Sequence, residues 1–391
     1  MLAASLCRSP RSLRLTGTVA AFRGPSHTNL GSQPGPTRKS LARARSARAS
    51  ERHMSGQPDA ANHPEHQRYP GRPTRSLAGR VALVTGAGSR ADDGREGEEG
   101  FAGLGNGAAT AVLLAEAGAS VVCVDILPAR AERTTRLVRL EHQQRGGGRG
   151  LAGGDARAHA LALAGDVTVA PDCERLIAET VGQLGRLDIL VNIVGTIGVK
   201  GDATEVDPAE WARSLELNVS SMMQMAKYAI PAMRRNNDAD QQQSNSSNNK
   251  AASTRSGAGS IINIGSVAGL RGGTPHLLYP TSKGAVVNMT RAMAVHHARH
   301  GIRVNCVCPG MLYTPMVAYG GDDSAHHERF TVTMSPQMRE SRRNRSLLRT
   351  EGNAWDCATA VRFLAGDEAR WITGSVLTVD AGATASTELV W

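Results

Sequence analysis

Val81-Ala-Leu-Val-Thr85-Gly86-Ala-Gly88-Ser89, followed after a polar Gly- and Glu-rich stretch by Gly103-Leu-Gly105-Asn-Gly107, decides the fold. An apolar run that ends in glycines and resumes as the helix-forming run Ala108 to Ala117 opens a strand-turn-helix unit. Glycines at that turn let the backbone approach a pyrophosphate at the helix N-terminus. The next apolar run, Val121-Val-Cys-Val124, ends at Asp125, whose carboxylate suits the ribose hydroxyls of an adenine nucleotide. Two glycine registers are open. Gly105-Asn-Gly107 keeps the usual distance to Asp125 better than Gly103-Leu-Gly105.

Outward from this unit, short apolar runs alternate with amphipathic stretches, the pattern of a parallel sheet covered by helices. The runs are Ala158 to Ala164, Leu187 to Val191, Ser260 to Gly265, Ile302 to Cys308 and Val376 to Val379. A long helical pattern extends from Pro208 past Asn218 to about Arg235. These elements make one α/β domain over residues 76–391, with polar insertions at about 90–104, 141–156 and 236–259. The last of these is low-complexity and nearly free of apolar residues, which predicts a disordered surface loop that can be dispensed with. Residues 312–350 are polar, Met-containing and loosely helical, as expected of a mobile lid over a pocket.

The chemistry gathers in Ser266-Val-Ala-Gly-Leu-Arg-Gly-Gly-Thr-Pro-His-Leu-Leu-Tyr279-Pro-Thr-Ser-Lys283. Ser266 closes an apolar strand, and Tyr279 and Lys283, four apart, share a helix face. A phenol of pKa about 10 is a poor acid or base at neutral pH unless a cation stabilises its phenolate. Lys283 offers that cation, so Tyr279 can exchange a proton with an alcohol or carbonyl whose oxygen Ser266 holds.

The charge excess is local. Residues 1–75 carry thirteen Lys and Arg against three acids, which accounts for the whole net charge of +10. The body is therefore neutral, and no nucleic-acid surface is expected. The first fifty residues contain no Asp or Glu and are rich in Arg, Ser and Ala, the composition of an organelle transit peptide; a basic disordered tail and an over-extended reading frame are the alternatives. With transit the protein is mitochondrial, and otherwise cytoplasmic. No apolar run reaches the roughly 18 residues of a membrane span, so no membrane partner is expected. Six cysteines without a Cys-x-x-Cys pattern read as buried free thiols, with Cys306-Val-Cys308 as a packing pair on a strand. His296, His297 and His300 lie on an Arg-rich helical stretch and read as a solvated face, and His326 and His327 lie in the expected lid, so no metal site is expected.

Taken in order, Thr85-Gly86 with the following glycines, Asp125, Asp166-Val167, Asn192 and Gly195, Asn218, Ser266, Tyr279 and Lys283, and Pro309-Gly310 to Thr314 resemble the short-chain dehydrogenase/reductase family over about Gly79 to Thr384. The resemblance implies a Rossmann-type doubly wound parallel sheet and transfer of a hydride between a nicotinamide cofactor and a secondary alcohol or ketone. It implies Tyr279 as acid/base, Lys283 lowering the tyrosine's pKa and holding the nicotinamide ribose, Ser266 polarising the substrate oxygen and Asn218 anchoring a relay water. Cofactor contacts would come from Gly86, Ser89, Gly103, Gly105, Gly107, Asp125, Asp166, Val167, Asn192, Gly195, Tyr279, Lys283 and Thr314. A homo-oligomer, dimer or tetramer, is also implied.

Two departures stand out. The glycine loop carries an insertion, and the family's Asn-Asn-Ala-Gly is here Asn192-Ile-Val-Gly195. Within the family, Tyr279 to Ala285, Leu347 to Gly352 and Trp371 to Gly382 are similar to alicyclic-alcohol dehydrogenases and to 3-oxoacyl-carrier-protein reductases. Asp125 favours NAD, whereas Arg90 beside Ser89 would favour NADP. A silent NAD-binding regulator is the competing class, and it would have no use for Ser266, Tyr279 and Lys283.

Overall fold

The computed structural model describes residues 72–88, 103–144, 160–246, 257–318 and 334–386. The chain divides between Tyr69 and Pro70, so the first unit lies outside the described residues, as do Ser89 and Arg90. The extension expected over 1–75 is thus described only at its last residues, where exposed Arg75 pairs with Glu368.

Seven strands form one parallel sheet: β1 Val81–Thr85, β2 Ser120–Asp125, β3 Ala160–Ala164, β4 Ile189–Asn192, β5 Gly259–Ile264, β6 Ile302–Pro309 and β7 Val376–Val379. Their order is β3-β2-β1-β4-β5-β6-β7. The order in which strands are added reverses between β1 and β4, which leaves a crevice at their carboxyl ends, the usual ligand position in such sheets.

Burial on both faces explains the unbroken apolar strands. Along β1, Ala82 and Val84 pack with α1 (Asn106–Glu116), α2 (Pro128–Gln144) and α9 (Ala354–Ala365). Leu83 points the other way, toward α3 (Ala170–Leu184) and α5 (Ser221–Ser246). α6 (Leu278–His297) covers the same side as α3 and α5, through Ala294. Asp207 caps α4 (Pro208–Leu215) by accepting from Glu210 N–H, and Asn353 with Asp356 forms a capping box on α9.

Three expectations need correction. The helical pattern over 208–235 is not one regular helix: it is α4, a π-helical turn at Glu216–Ser220, and α5. The stretch 236–259 is not a surface loop throughout. α5 continues to Ser246, and at the far end Ala258 is buried and Gly259 opens β5. Asn236 is buried, and its side-chain amide donates to Leu187 O (2.7 Å) and Ala258 O (3.2 Å), tying the helix to the ends of two strands. Composition misjudged this position because an asparagine that satisfies buried carbonyls reads in sequence like a solvated one. The insertion at 141–156 likewise begins inside α2, which runs to Gln144. In the expected lid, α7 (Pro315–Ala318) and α8 (Pro336–Arg343) are described, with residues 319–333 outside the described set.

Candidate active site

The crevice at the sheet's carboxyl edge is a cleft of about 410 Å³ lined by the glycine turn, the ends of β2, β3, β4 and β5, and the segment after β6. Ser266 leaves β5 in extended conformation and caps a 3-10 turn, Val267–Gly269, by accepting from Ala268 N–H at 3.2 Å. That turn lies hard against α6. A Cβ on Gly269 would stand 2.4 Å from the Lys283 carbonyl carbon and 2.6 Å from Gly284 N, so only glycine lets Ser266 approach the helix this closely. Neither Gly269 nor Gly284 was singled out by the sequence. The signal available was a run of small residues after an apolar strand.

Tyr279 lies in the first turn of α6 and, with Ser266 and Lys283, lines the cleft. Burial pushes the phenol's pKa up, and the Ser266 contact opposes this in part. Lys283 is 4% exposed; burial lowers its pKa from 10.5 to about 8. Its ammonium donates to Ile264 O at 3.0 Å and lies 5.9 Å from the Tyr279 ring centre. The expected lowering of the tyrosine's pKa is not found: burial raises it, and Ser266 rather than Lys283 opposes the rise. Lys283 fits because Gly195 has no side chain: a Cβ there would be 3.1 Å from Nζ and 3.3 Å from Asn218 Oδ1.

Asn218 is fully buried within the π-helical turn. Its Oδ1 accepts from Thr196 N–H at 2.8 Å, and its amide donates to Thr196 O (2.9 Å) and Ser282 Oγ (3.0 Å). Ser282, which sequence reasoning passed over, donates in turn to Tyr279 O at 2.9 Å, so one chain of bonds joins Asn218 to the tyrosine's backbone. Ser266, Tyr279, Lys283, Gly195 and Asn218 are therefore brought together.

At the other end of the cleft, Gly105 precedes α1 without a side-chain cap, and Gly86, Gly88, Gly105, Asn106 and Gly107 line the wall. A Cβ on Gly107 would fall 1.9 Å from Gly86 O, which explains the glycine. Asn106 Oδ1 is buried without a hydrogen-bond partner among the described residues. A glycine cradle, uncapped helix N–H groups and an orphaned polar atom together fit a dinucleotide pyrophosphate. Asp125 accepts from Gly88 N–H (3.1 Å) and Leu127 N–H (3.0 Å), and Asp166, Val167 and Thr314 also line the cleft.

Two candidates fall elsewhere. Gly103 is not part of the cleft wall, and a Cβ there would meet nothing within 4 Å, so the register Gly105-Asn-Gly107 is the one that faces the cleft. Asn192 braces the sheet: its amide donates to Asn263 Oδ1 at 2.9 Å, and Asn263 donates to Thr290 Oγ1 at 3.0 Å. Asn192 Oδ1 has no hydrogen-bond partner among the described residues. Arg130, unmarked by any motif, lines the cleft beside Asp125. Among the described residues no helix is long and apolar enough to cross a membrane, and no group of three or more His, Cys, Asp or Glu is placed to hold a metal.

A doubly wound sheet with a glycine cradle at one end of its crevice and a Ser-Tyr-Lys-Asn cluster at the other defines a dinucleotide-dependent class. The comparisons agree with it. The family model described as enoyl-(acyl carrier protein) reductase matches residues 100–384. Cis-4-hydroxycyclohexanecarboxylate dehydrogenase of Sinomonas cyclohexanicum is 32% identical over 310 residues, 79% of this chain and 98% of its own length. (+)-Borneol dehydrogenase 2 of Salvia officinalis is 31% identical over 79% of this chain and 91% of its own. A solved short-chain dehydrogenase/reductase structure from Burkholderia xenovorans is 34% identical, with a TM-score of 0.61, covering 80% of this chain and 99% of that one. The chain belongs to the short-chain dehydrogenase/reductase family.

Proposed function

We propose that the protein is an NAD(H)-dependent oxidoreductase that interconverts uncharged secondary alcohols and ketones, with Tyr279 as the acid/base. The observation that carries this reading is the gathering of Ser266, Tyr279 and buried Lys283 in the cleft, with Lys283 Nζ held by Ile264 O. In oxidation, Tyr279 Oη takes the substrate's hydroxyl proton while Ser266 Oγ donates to the same oxygen. The reverse direction returns the proton. Lys283 holds positive charge beneath the phenol, and Asn218 fixes the turn that leads to it. The nicotinamide group, when bound, supplies or accepts the hydride.

The substrate class follows from the apolar part of the cleft's lining, which includes Leu217, Leu312, Met316 and Val317. Apart from Lys283, the charged lining residues are Asp125, Arg130 and Asp166, all toward the adenosine end. With no cation for a carboxylate or sulfonate among the described residues there, an apolar alcohol is favoured. Borneol, named for one relative, supports the same direction, whereas the 4-hydroxycyclohexanecarboxylate named for another carries a carboxylate.

Asp125 supports NAD, because a carboxylate about 4 Å from a phosphate costs several kcal/mol at an effective dielectric near 20. Arg130 supports a second reading, NADP with a carrier-protein-linked or other ketone substrate. Initial rates with each cofactor across a panel of cyclic and acyclic alcohols and ketones separate the two. Binding of NADH without turnover of any panel member would instead favour a silent regulator.

We also infer a homo-oligomer, and mitochondrial delivery by the acid-free N-terminal segment. Residues 1–60 fused to a fluorescent protein should enter mitochondria, and a diffuse cytosolic signal would remove that inference.

A further inference from the structure

Leu312, Thr314, Pro315, Met316 and Val317 form one wall of the cleft, and what holds them lies behind. Leu312 bridges to Gly352, and Tyr313 N–H donates to Gly352 O at 2.8 Å. A Cβ on Gly352 would stand 2.6 Å from Leu312 Cδ2, so glycine permits the contact. Two arginines of α8 then grip the wall. The Arg339 guanidinium stacks over the Tyr313 ring at 3.8 Å, and Arg342 Nη2 donates to Leu312 O at 3.0 Å.

Both arginines are anchored on one carboxylate. Glu351, with its side chain 5% exposed, accepts from Arg339 Nε (2.9 Å) and Nη2 (2.7 Å) through Oε2. Its Oε1 faces Arg342 Nε at 3.7 Å. Neither of these two buried atoms has a hydrogen-bond partner among the described residues, so the second half of the clamp stands open by under an ångström. Burial pushes the Arg342 pKa down and Glu351 opposes that, which fits a guanidinium dependent on this carboxylate.

We propose that Glu351 is the positioning residue for the cleft wall: through Arg339 and Arg342 it fixes Leu312 and Tyr313, and so sets Thr314 to Val317 against nucleotide and substrate. The proposal rests on the reading of the cleft as a nicotinamide-nucleotide and alcohol site. Its physical core is charge rather than shape, since removing one member of a partly buried ion cluster leaves the others unmatched. Glu351 touches no reacting atom, so its loss should appear in binding before it appears in the chemical step.

The test uses the full chain as wild type, Glu351→Gln and Glu351→Asp, with NADH titration, steady-state kinetics, melting and amide hydrogen exchange. Glu351→Gln should raise the NADH Kd and the alcohol KM by about tenfold while kcat stays within about threefold, and Glu351→Asp should recover most of the loss. Exchange should quicken at the amides of Tyr313, Val317 and Ala318, with β5 and β6 unchanged. Unaltered Kd and KM, or a uniform rise in exchange that follows a fall in Tm, would overturn the proposal. Should wild type bind no nicotinamide nucleotide, the functional reading fails separately. Local exchange at Tyr313 then decides the clamp: quickened supports it, unchanged refutes it.

Discussion

Lys283 Nζ donates to the main-chain carbonyl of Ile264 at 3.0 Å, which ties the second turn of α6 to the last residue of β5. This bond is made by an ammonium taken almost wholly out of water, and burial lowers its pKa to about 8. The lysine is therefore charged below about pH 8 and neutral above, a range in which Tyr279, raised by burial, keeps its proton.

A pH dependence follows with a definite sign. For ketone reduction, kcat/KM measured against NADH reports the free enzyme. It should be level below pH 8 and fall as pH rises through 8, when Lys283 loses the charge that stabilises the developing phenolate. Lys283→Met should lower the plateau and remove the break. Stability moves the opposite way. The cost of burying the ammonium is present below the folded-state pKa of about 8 and is relieved as pH rises toward 10.5, so the protein without cofactor should gain stability over that window. Denaturant midpoints from pH 7 to 10 for wild type and Lys283→Met check it, and parallel curves would contradict the assignment.

Gly269 should tolerate no side chain. Its Cβ position meets the backbone of Lys283 and Gly284 rather than the end of a flexible side chain, so Gly269→Ala must push the turn carrying Ser266 away from α6. Overpacking of this kind costs about 1–3 kcal/mol, and displacement of Ser266 from Tyr279 should reduce kcat by about ten- to a hundredfold. Thermal melting and turnover of the one variant measure both. Normal kcat would mean that the turn can move without separating the two hydroxyls.

Asn236 should matter to stability and not to catalysis. Its amide satisfies the carbonyls of Leu187 and Ala258, and Asn236→Ala leaves both buried and unmatched. The expected loss is about 1–3 kcal/mol with kcat unchanged. A denaturant midpoint equal to wild type would show that the surrounding carbonyls find other donors.

Cofactor choice turns on Asp125. Asp125→Ser should erode NAD preference by at least about tenfold in relative kcat/KM, because it removes repulsion of a 2′-phosphate and leaves Arg130 facing it. A clear NADP preference in the unmutated protein would defeat the argument from Asp125.

The sheet was legible in the sequence because strands buried on both faces read as continuous apolar runs, and Val376–Val379 was bounded to the residue. The cluster of Ser266, Tyr279 and Lys283 was legible because two of its members share a helix face and the third ends a strand. What escaped were features that depend on close approach across the chain. Gly269 against Lys283 is fourteen residues apart and shows no pattern. Arg130 is one arginine among many on α2, and Glu351 gains its importance only from two arginines on α8. The extension of α5 past Asn236 escaped for a different reason. Polar composition argues against a core, and it says nothing about a helix whose first half is anchored by Met225, Ala229 and Met233.

Tyr279→Phe tests the central claim most directly. The variant keeps the ring packing and removes only the hydroxyl, so NADH affinity by fluorescence titration should stay within a few-fold of wild type. Turnover of the best alcohol from the panel should fall by about a hundredfold or more, the usual worth of an acid/base group. A Phe variant that binds NADH and turns over at a near-normal rate would contradict the assignment of Tyr279 as the proton donor and acceptor.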